Sequence, residues 1–464
     1  MLFSEPVFFV FFAVYFALHF LIPPRWRLWL VIGGSTVFYA WWRPIYVELP
    51  YALTLVAWAG TIWLDRANEP ATRRLRLGVT LALVFLPLLA VKYAYFLTND
   101  VFGLRGIIDT DQFRWPLPLG ISFITFTLSA YVIDVYRRRY RLERSLPMLF
   151  GYVLFFPHLI AGPILRPYEL MPQLRQMRRA LDARFMAGIA IFTLGLVKKL
   201  IFADSIALVV DQVYSGPAGA SGWDYLIAIY GFSVQIYCDF SGYTDMAIGI
   251  AYLLRIRLPT NFLRPYAATS IVDFWRRWHI TLSHWLRDYL YIPLGGNRGG
   301  RLYQFRNILI TMVLGGLWHG ANWTFLIWGF LHGLALGVTH LLRRPMKALG
   351  ISIPAWLGLV ITFHFVTFAW IYFRAKDIGR AHEIIGGLVH GSWLEPMAAL
   401  QQNAFVVVLM LIFFALHRFD RHAWLRIAAR RAHPALLVPA IGLCWILAIT
   451  LSQGSSAKFI YFDF

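Results

Sequence analysis

The chain has 464 residues, of which 59% are hydrophobic, 17% aromatic and only 14% charged, a balance that excludes a water-soluble globular domain and points to lipid as the solvent. Its formal charge of +20 would suggest nucleic acid in a soluble protein, but the basic residues sit in loops between apolar runs, which assigns them to membrane topology. The two cysteines, Cys238 and Cys444, are far apart and both within apolar runs, so they support neither a disulfide framework nor a cysteine metal site.

Apolar runs of roughly 15 to 22 residues recur along the chain, and a helix needs about 20 residues to cross a hydrocarbon layer of about 30 Å. The first, Val7 to Ile22, lacks a preceding basic stretch and a following small-residue cleavage site, so it is expected to be a retained helix. Further spans are expected at Leu28 to Trp42, Tyr51 to Leu64, Leu77 to Leu97, Leu117 to Tyr136, Phe185 to Val213 and Tyr225 to Leu254. Later ones follow at Ile308 to Leu342, Ile353 to Phe373, Phe405 to Leu416 and Ala435 to Leu451. The fold class is therefore all-α, a polytopic transmembrane helical bundle.

Two segments break the pattern, and broken helices lining a cavity are where membrane proteins tend to keep their sites. Phe150 to Pro163 is apolar but short, carries Phe-Phe-Pro-His-Leu-Ile-Ala-Gly-Pro, and reads as a re-entrant loop. Ile308 to Leu342 is too long for one crossing and is interrupted at Gly315-Gly316-Leu317-Trp318-His319-Gly320-Ala321-Asn322-Trp323. As a helical pair, its first arm from Ile308 to Trp318 rises about 16 Å, half the hydrocarbon thickness, which puts His319 near the midplane.

Of the 43 lysines and arginines, Arg43, Arg105, Arg114, Arg374, Lys376, Arg380 and Lys458 fall on one side, and Lys92, Lys198 and Lys199 fall inside apolar runs. All the others lie on the opposite side, so the positive-inside rule places both termini outside the cytoplasm. Between Val272 and Tyr291, Phe274, Trp278, Leu282, Trp285 and Tyr289 recur at helical spacing while Arg276, Arg277, His284 and Arg287 fall elsewhere. That spacing predicts one amphipathic helix at the cytoplasmic interface, with His279 near the border of its two faces.

An ionisable residue deep in a membrane is costly and usually faces a polar cavity or a partner. On that ground alone His319 fits a histidine hydrogen-bonded between helices as well as it fits a functional group. Lys198, Lys199 and Asp204 on the sixth span, with Asp239, Ser241, Tyr243 and Asp245 on the seventh, are expected to pair across helices. His19, His158, His332, His340 and His364 are expected to be packing histidines, with His158 the secondary candidate because it lies in a broken segment. His284 follows His279 by five residues, which does not put both on one helical face, and no acidic ligand set accompanies them; no metal is expected.

The segment Gly-Leu-Trp-His-Gly-Ala-Asn-Trp closely resembles the histidine motif of membrane-bound O-acyltransferases, specifically the branch that acts in alginate O-acetylation. The resemblance covers most of the chain. Leu117 to Asp134, Phe156 to Leu174 and Lys198 to Asp204 share it, as does the terminal Phe-Ile-Tyr-Phe-Asp-Phe. The longest match, Tyr237 to Gly296, contains Tyr-Cys-Asp-Phe-Ser-Gly-Tyr-Thr-Asp, Pro-Thr-Asn-Phe, Phe-Trp-Arg-Arg-Trp-His-Ile-Thr-Leu-Ser and Arg-Asp-Tyr-Leu-Tyr-Ile-Pro-Leu-Gly-Gly.

The resemblance implies a single membrane domain over residues 1–464, with a catalytic core at about 117–345, in the inner (cytoplasmic) membrane. It carries the catalytic role onto His319 and matches His279 to the family's second histidine. It also implies an acetyl group taken from a cytoplasmic donor, acetyl-coenzyme A, and passed to a hydroxyl of an extracytoplasmic polysaccharide through a periplasmic or secreted acetyltransferase partner. Nucleic acid has no part in this reading. Coenzyme A carries several phosphate charges, for which Arg276, Arg277 and Arg287 would line an attractive mouth, although topology alone also explains a basic loop there. The alternatives are D-alanyl transfer to teichoic acid, which shares the histidine motif, and a polysaccharide transporter or channel, against which stands the missing inverted repeat.

Overall fold

The computed structural model describes residues 1–104, 107, 109–113, 115–177, 183–216, 220–452 and 459–460, and every regular element among them is helical. Of the sequence features above, Arg105, Arg114, Lys458 and residues 461–464 of the terminal motif lie outside the described residues. Among the described residues, six helices are long and apolar enough to cross a membrane: Pro44–Asp65, Pro70–Tyr93, Phe185–Ser215, Trp323–Ala348, Ala355–Arg374 and Pro434–Leu451. A seventh candidate is the pair Pro396–Gln402 and Ala404–His417, bent by 82°. The chain is a multi-pass membrane protein, as its composition required. On Pro434–Leu451 the single buried residue is Ala448; a helix that is apolar all round yet covered by so little protein is solvated by lipid.

Contacts group the chain into two compact units, Met1–Phe192 with Met246–Pro259, and Thr193–Asp245 with Thr260–Phe464. In the first unit the helix Ile121–Tyr136 buries every residue except Ile133 and Tyr136. The expected re-entrant segment forms two short helices, Leu146–Leu154 and Phe156–Leu159, on either side of Phe155. Polar groups around this break find partners inside the protein. The Phe156 N–H donates to Ser35 Oγ at 3.1 Å, and the Tyr152 hydroxyl donates to the Leu165 carbonyl at 2.7 Å.

The second unit contains the long interrupted run, which forms a helical hairpin of Arg301–His319 and Trp323–Ala348. The arms meet through glycine: a Cβ on Gly316 would lie 2.3 Å from the Phe325 carbonyl oxygen, and one on Gly329 would lie 2.4 Å from that of Met312. Small residues of this kind let membrane helices approach backbone to backbone. The first arm starts at Arg301, seven residues before the apolar run, so it is about 28 Å long, and His319 is its last residue.

The segment from Val272 to Tyr291 is not the single amphipathic helix its spacing predicts. It comprises Ile271–Trp275, then Ile280–Leu286, then a π-helical turn Arg287–Tyr291, with His279 in the left-handed region at φ 40°. The predicted apolar stripe is nevertheless real, since Phe274, Trp278, Leu282, Trp285 and Tyr289 are all buried. Burial follows the stripe, while continuity of the helix yields to local hydrogen bonds at His279.

Candidate active site

His319 ends the first hairpin arm at a three-residue break, Gly320 to Asn322. Asn322 starts the second arm by accepting the Thr324 N–H on its side-chain oxygen at 3.0 Å, and its amide donates to the Lys376 carbonyl at 2.9 Å. The imidazole is only 3% exposed. Trp318, Trp328 and Phe373 surround it with ring centroids 4.8, 5.1 and 5.1 Å away, each steeply inclined to the imidazole plane. A helix C-terminus carries partial negative charge, which favours a cation there by about 0.3–1 kcal/mol. The position therefore suits an imidazole that becomes imidazolium during a proton transfer.

His279 is fully buried and holds a left-handed backbone conformation, which costs a residue with a Cβ about 1–3 kcal/mol. Neighbouring hydrogen bonds hold it there. The Ile280 N–H donates to the Asn261 carbonyl at 2.9 Å, and the Leu263 N–H to the Arg277 carbonyl at 2.9 Å. The Asn261 side-chain oxygen accepts from the Thr281 N–H at 3.1 Å, from the Thr281 hydroxyl at 2.9 Å and from His279 Nδ1 at 3.2 Å. Because a backbone N–H must donate, that Asn261 atom is oxygen, and His279 Nδ1 carries a proton. Burial lowers the His279 pKa, so the ring is neutral and its lone pair resides on Nε2. The ring packs edge to face on Phe240 at 4.7 Å and lies 6.1 Å from Trp318. His279 and His319 thus share the Trp318 indole, although they are 40 residues apart in sequence.

A cavity of about 420 Å3 runs beside the hairpin. Arg287, Asn297, Gln304 and His340 give it polar groups, and Trp275, Ile308, Met312 and Leu336 give it apolar walls. Of the three arginines expected at a donor mouth, Arg287 lines this cavity and pairs with Asp288 at 2.7 Å. Arg276 is exposed away from its lining, and Arg277 pairs with Asp273 at 2.9 Å. Among the described residues, no three His, Cys, Asp or Glu side chains are arranged to hold a metal.

The lysines and aspartates of the sixth and seventh spans pair across helices as expected. Lys199 Nζ lies 2.7 Å from both Asp204 and Asp239. Lys198 Nζ lies 2.7 Å from Asp245 and 2.6 Å from Asp420, and Asp245 also meets His422 Nε2 at 2.7 Å. Tyr237 donates its hydroxyl to Asp420. The end of the chain joins this cluster: the Ile460 N–H donates to Asp239 at 2.7 Å, and the Phe459 ring packs on Tyr243 at 4.8 Å.

His158 serves packing in the first unit, where its Nε2 bonds the Tyr152 carbonyl at 2.8 Å. Sequence reasoning did not single out Asn261, Asp420 or His422. Asn261 was visible as a polar residue inside the Pro-Thr-Asn-Phe motif, and Asp420 and His422 as acid and base in the short polar link after an apolar run.

The chain thus combines apolar membrane-spanning helices with buried, aromatic-walled histidines at helix breaks. A family model, membrane-bound O-acyltransferase, matches residues 141–376, and the chain belongs to that family and is an O-acyltransferase. It is 37% identical to the probable alginate O-acetylase of Pseudomonas putida over 100% of both chains. It is 38% identical to the peptidoglycan O-acetyltransferase of Helicobacter pylori over 84% of this chain and 80% of that one. With the teichoic acid D-alanyltransferase of Bacillus subtilis it shares 28% identity over 57% of this chain and 70% of the other.

Proposed function

We propose that this O-acyltransferase takes an acetyl group from acetyl-coenzyme A on the cytoplasmic side and passes it outward for O-acetylation of an extracytoplasmic polysaccharide. The observation that carries the reading is the match along the entire chain to a relative named for alginate O-acetylation. The match to a D-alanyltransferase is weaker and covers little more than half the chain, which favours acetyl over D-alanyl transfer. A periplasmic acetyltransferase is the partner that selects the final polysaccharide. The protein lies in the inner membrane with both termini outside the cytoplasm, a topology supported by its basic-residue pattern.

His319 is the catalytic base in this reading. Its imidazole takes the proton of an acceptor hydroxyl, the hydroxyl oxygen forms a bond to the thioester carbonyl carbon, and the carbon–sulfur bond breaks. The imidazolium then returns the proton to the departing thiolate, so coenzyme A leaves as the thiol and no charge is left in the site. His279, fixed by Asn261 and facing the same indole, is the second histidine of the site and orders the wall beside His319. Arg287 at the cavity suits the donor's phosphates, and Arg276 and Arg277 add to the attractive field outside it. Membranes bearing the protein should transfer label from acetyl-coenzyme A to polysaccharide; turnover of D-alanyl carrier, or polysaccharide flux without donor turnover, would overturn the reading.

A further inference from the structure

Three arginines converge from three separate stretches of chain. The Leu263 N–H donates to the Arg277 carbonyl at 2.9 Å, Arg264 donates through Nη1 to the Arg418 carbonyl at 3.1 Å, and the Tyr266 N–H donates to His417 Nε2 at 3.3 Å. These bonds gather the loop 260–267, the turn before His279 and the link that follows the helix Ala404–His417. Burial, and then the charges of Arg421 and Arg277, lower the Arg264 pKa, so Arg264 is near enough to both to be repelled by them.

Carboxylates do not cancel this charge. Arg277 has Asp273 at 2.9 Å, and Asp420, which attracts Arg264, is already 2.6 Å from Lys198 and accepts the Tyr237 hydroxyl. Among the described residues neither Arg264 nor Arg421 forms an ion pair, and Arg264 Nε is buried without a hydrogen-bond partner. Arg264 also holds a left-handed backbone at φ 50°, a conformation costly to any residue with a Cβ. Positive-inside topology asks only that basic residues lie on one side of the membrane; it does not ask that they converge on a strained turn. A phosphate does, because several guanidiniums can donate to its oxygens at once.

Apolar side chains stand beside these charges. Leu263, Leu416 and Phe419 are exposed, and the Arg418 guanidinium lies over the Phe419 ring at 4.6 Å. A soluble phosphate has no use for exposed leucine and phenylalanine next to its site, whereas a phospholipid presents a phosphate and acyl chains together. We propose that Arg264, Arg277 and Arg421 form a binding site for the phosphate of an anionic phospholipid, with Leu263 and Phe419 against its chains. None of the three arginines lines the cavity beside the hairpin, so the site is distinct from the one assigned to the acyl donor.

The test uses the full chain purified in a neutral detergent and reads its thermal midpoint with added phosphatidylcholine, phosphatidylglycerol or coenzyme A. Phosphatidylglycerol should raise the midpoint by about 2 °C or more over phosphatidylcholine, and the gain should shrink as salt is added. Arg264→Gln combined with Arg421→Gln should remove most of that gain. Arg430→Gln combined with Arg431→Gln, which takes the same charge from the helix that follows, should keep it. Arg421 is exposed, so if the first double variant does not fold, Arg421→Gln alone decides: it should at least halve the gain, and a full gain overturns the proposal. No gain from phosphatidylglycerol in the native protein overturns it as well, and so does equal loss in the two double variants, which would leave only diffuse attraction. A gain from coenzyme A that disappears in Arg264→Gln with Arg421→Gln, with none from phosphatidylglycerol, gives the site to a soluble phosphate and overturns its assignment to lipid.

Discussion

The Lys198–Lys199 cluster and the His279–His319 cluster lie in the same unit and both hold ionisable groups away from water, yet they do so by opposite means. Each lysine meets two carboxylates within 2.7 Å, so cations are paired with anions across three stretches of chain. The histidines meet aromatic rings, and Asn261 fixes His279 by a hydrogen bond. Groups paired in this way tie stretches of chain together and serve architecture. Imidazoles among rings have no fixed counter-ion to hold a charge, which is what the proposed proton transfer at His319 asks of its surroundings.

The comparison breaks first, and most visibly, at Lys199. Lys199→Met leaves Asp204 and Asp239 without their shared cation, a change expected to cost about 3–5 kcal/mol. The measurement is the amount of folded protein in the membrane and its thermal midpoint in detergent. Activity per folded molecule should stay near native, and a midpoint within a degree or two of native would show that the cluster is not structural.

Asn261→Ala sharpens the contrast from the other side. It removes the oxygen shared by His279 and Thr281, and a lost buried hydrogen-bond partner is worth about 1–3 kcal/mol. Here the loss should appear mainly as a lower kcat for acyl transfer, with membrane insertion retained. Asn261→Asp, which preserves an acceptor at the same position, should restore part of the rate; equal loss in both variants would mean that the acceptor does not position His279. The smallest effect is expected at Arg276, which is exposed: Arg276→Ala should leave stability within about 0.5 kcal/mol. It should weaken donor use only modestly, as a higher KM at low salt that disappears at high salt.

Six of the expected spans were legible because the length of an apolar run is set by the bilayer, whereas the runs at Val7 to Ile22 and Leu117 to Tyr136 form apolar helices of only 16 residues. The pairing of Lys198, Lys199, Asp204, Asp239 and Asp245 was legible because ions in lipid need partners. The break at His279 was not legible. Phe274, Trp278, Leu282, Trp285 and Tyr289 keep their helical spacing across it, so the pattern that reports burial is blind to the left-handed turn between them. The cause of that turn is Asn261, 18 residues earlier, and no local period encodes such a contact. Asp420 and His422 were missed for the same reason, since their partners Lys198 and Asp245 lie far back along the chain. His332 read as packing, and its hydrogen bond to Trp275 emerged only once the hairpin had been folded.

His319 is proposed as the base of the acyl transfer, and not as a packing ring at a helix break. His319→Gln keeps a polar side chain of similar reach but cannot take up a proton. Label transfer from acetyl-coenzyme A, normalised to folded protein in the membrane, should fall by about 10²–10⁴-fold while the amount and thermal midpoint of the protein stay close to native. Transfer retained within a few-fold of native, in correctly inserted protein, would contradict the account.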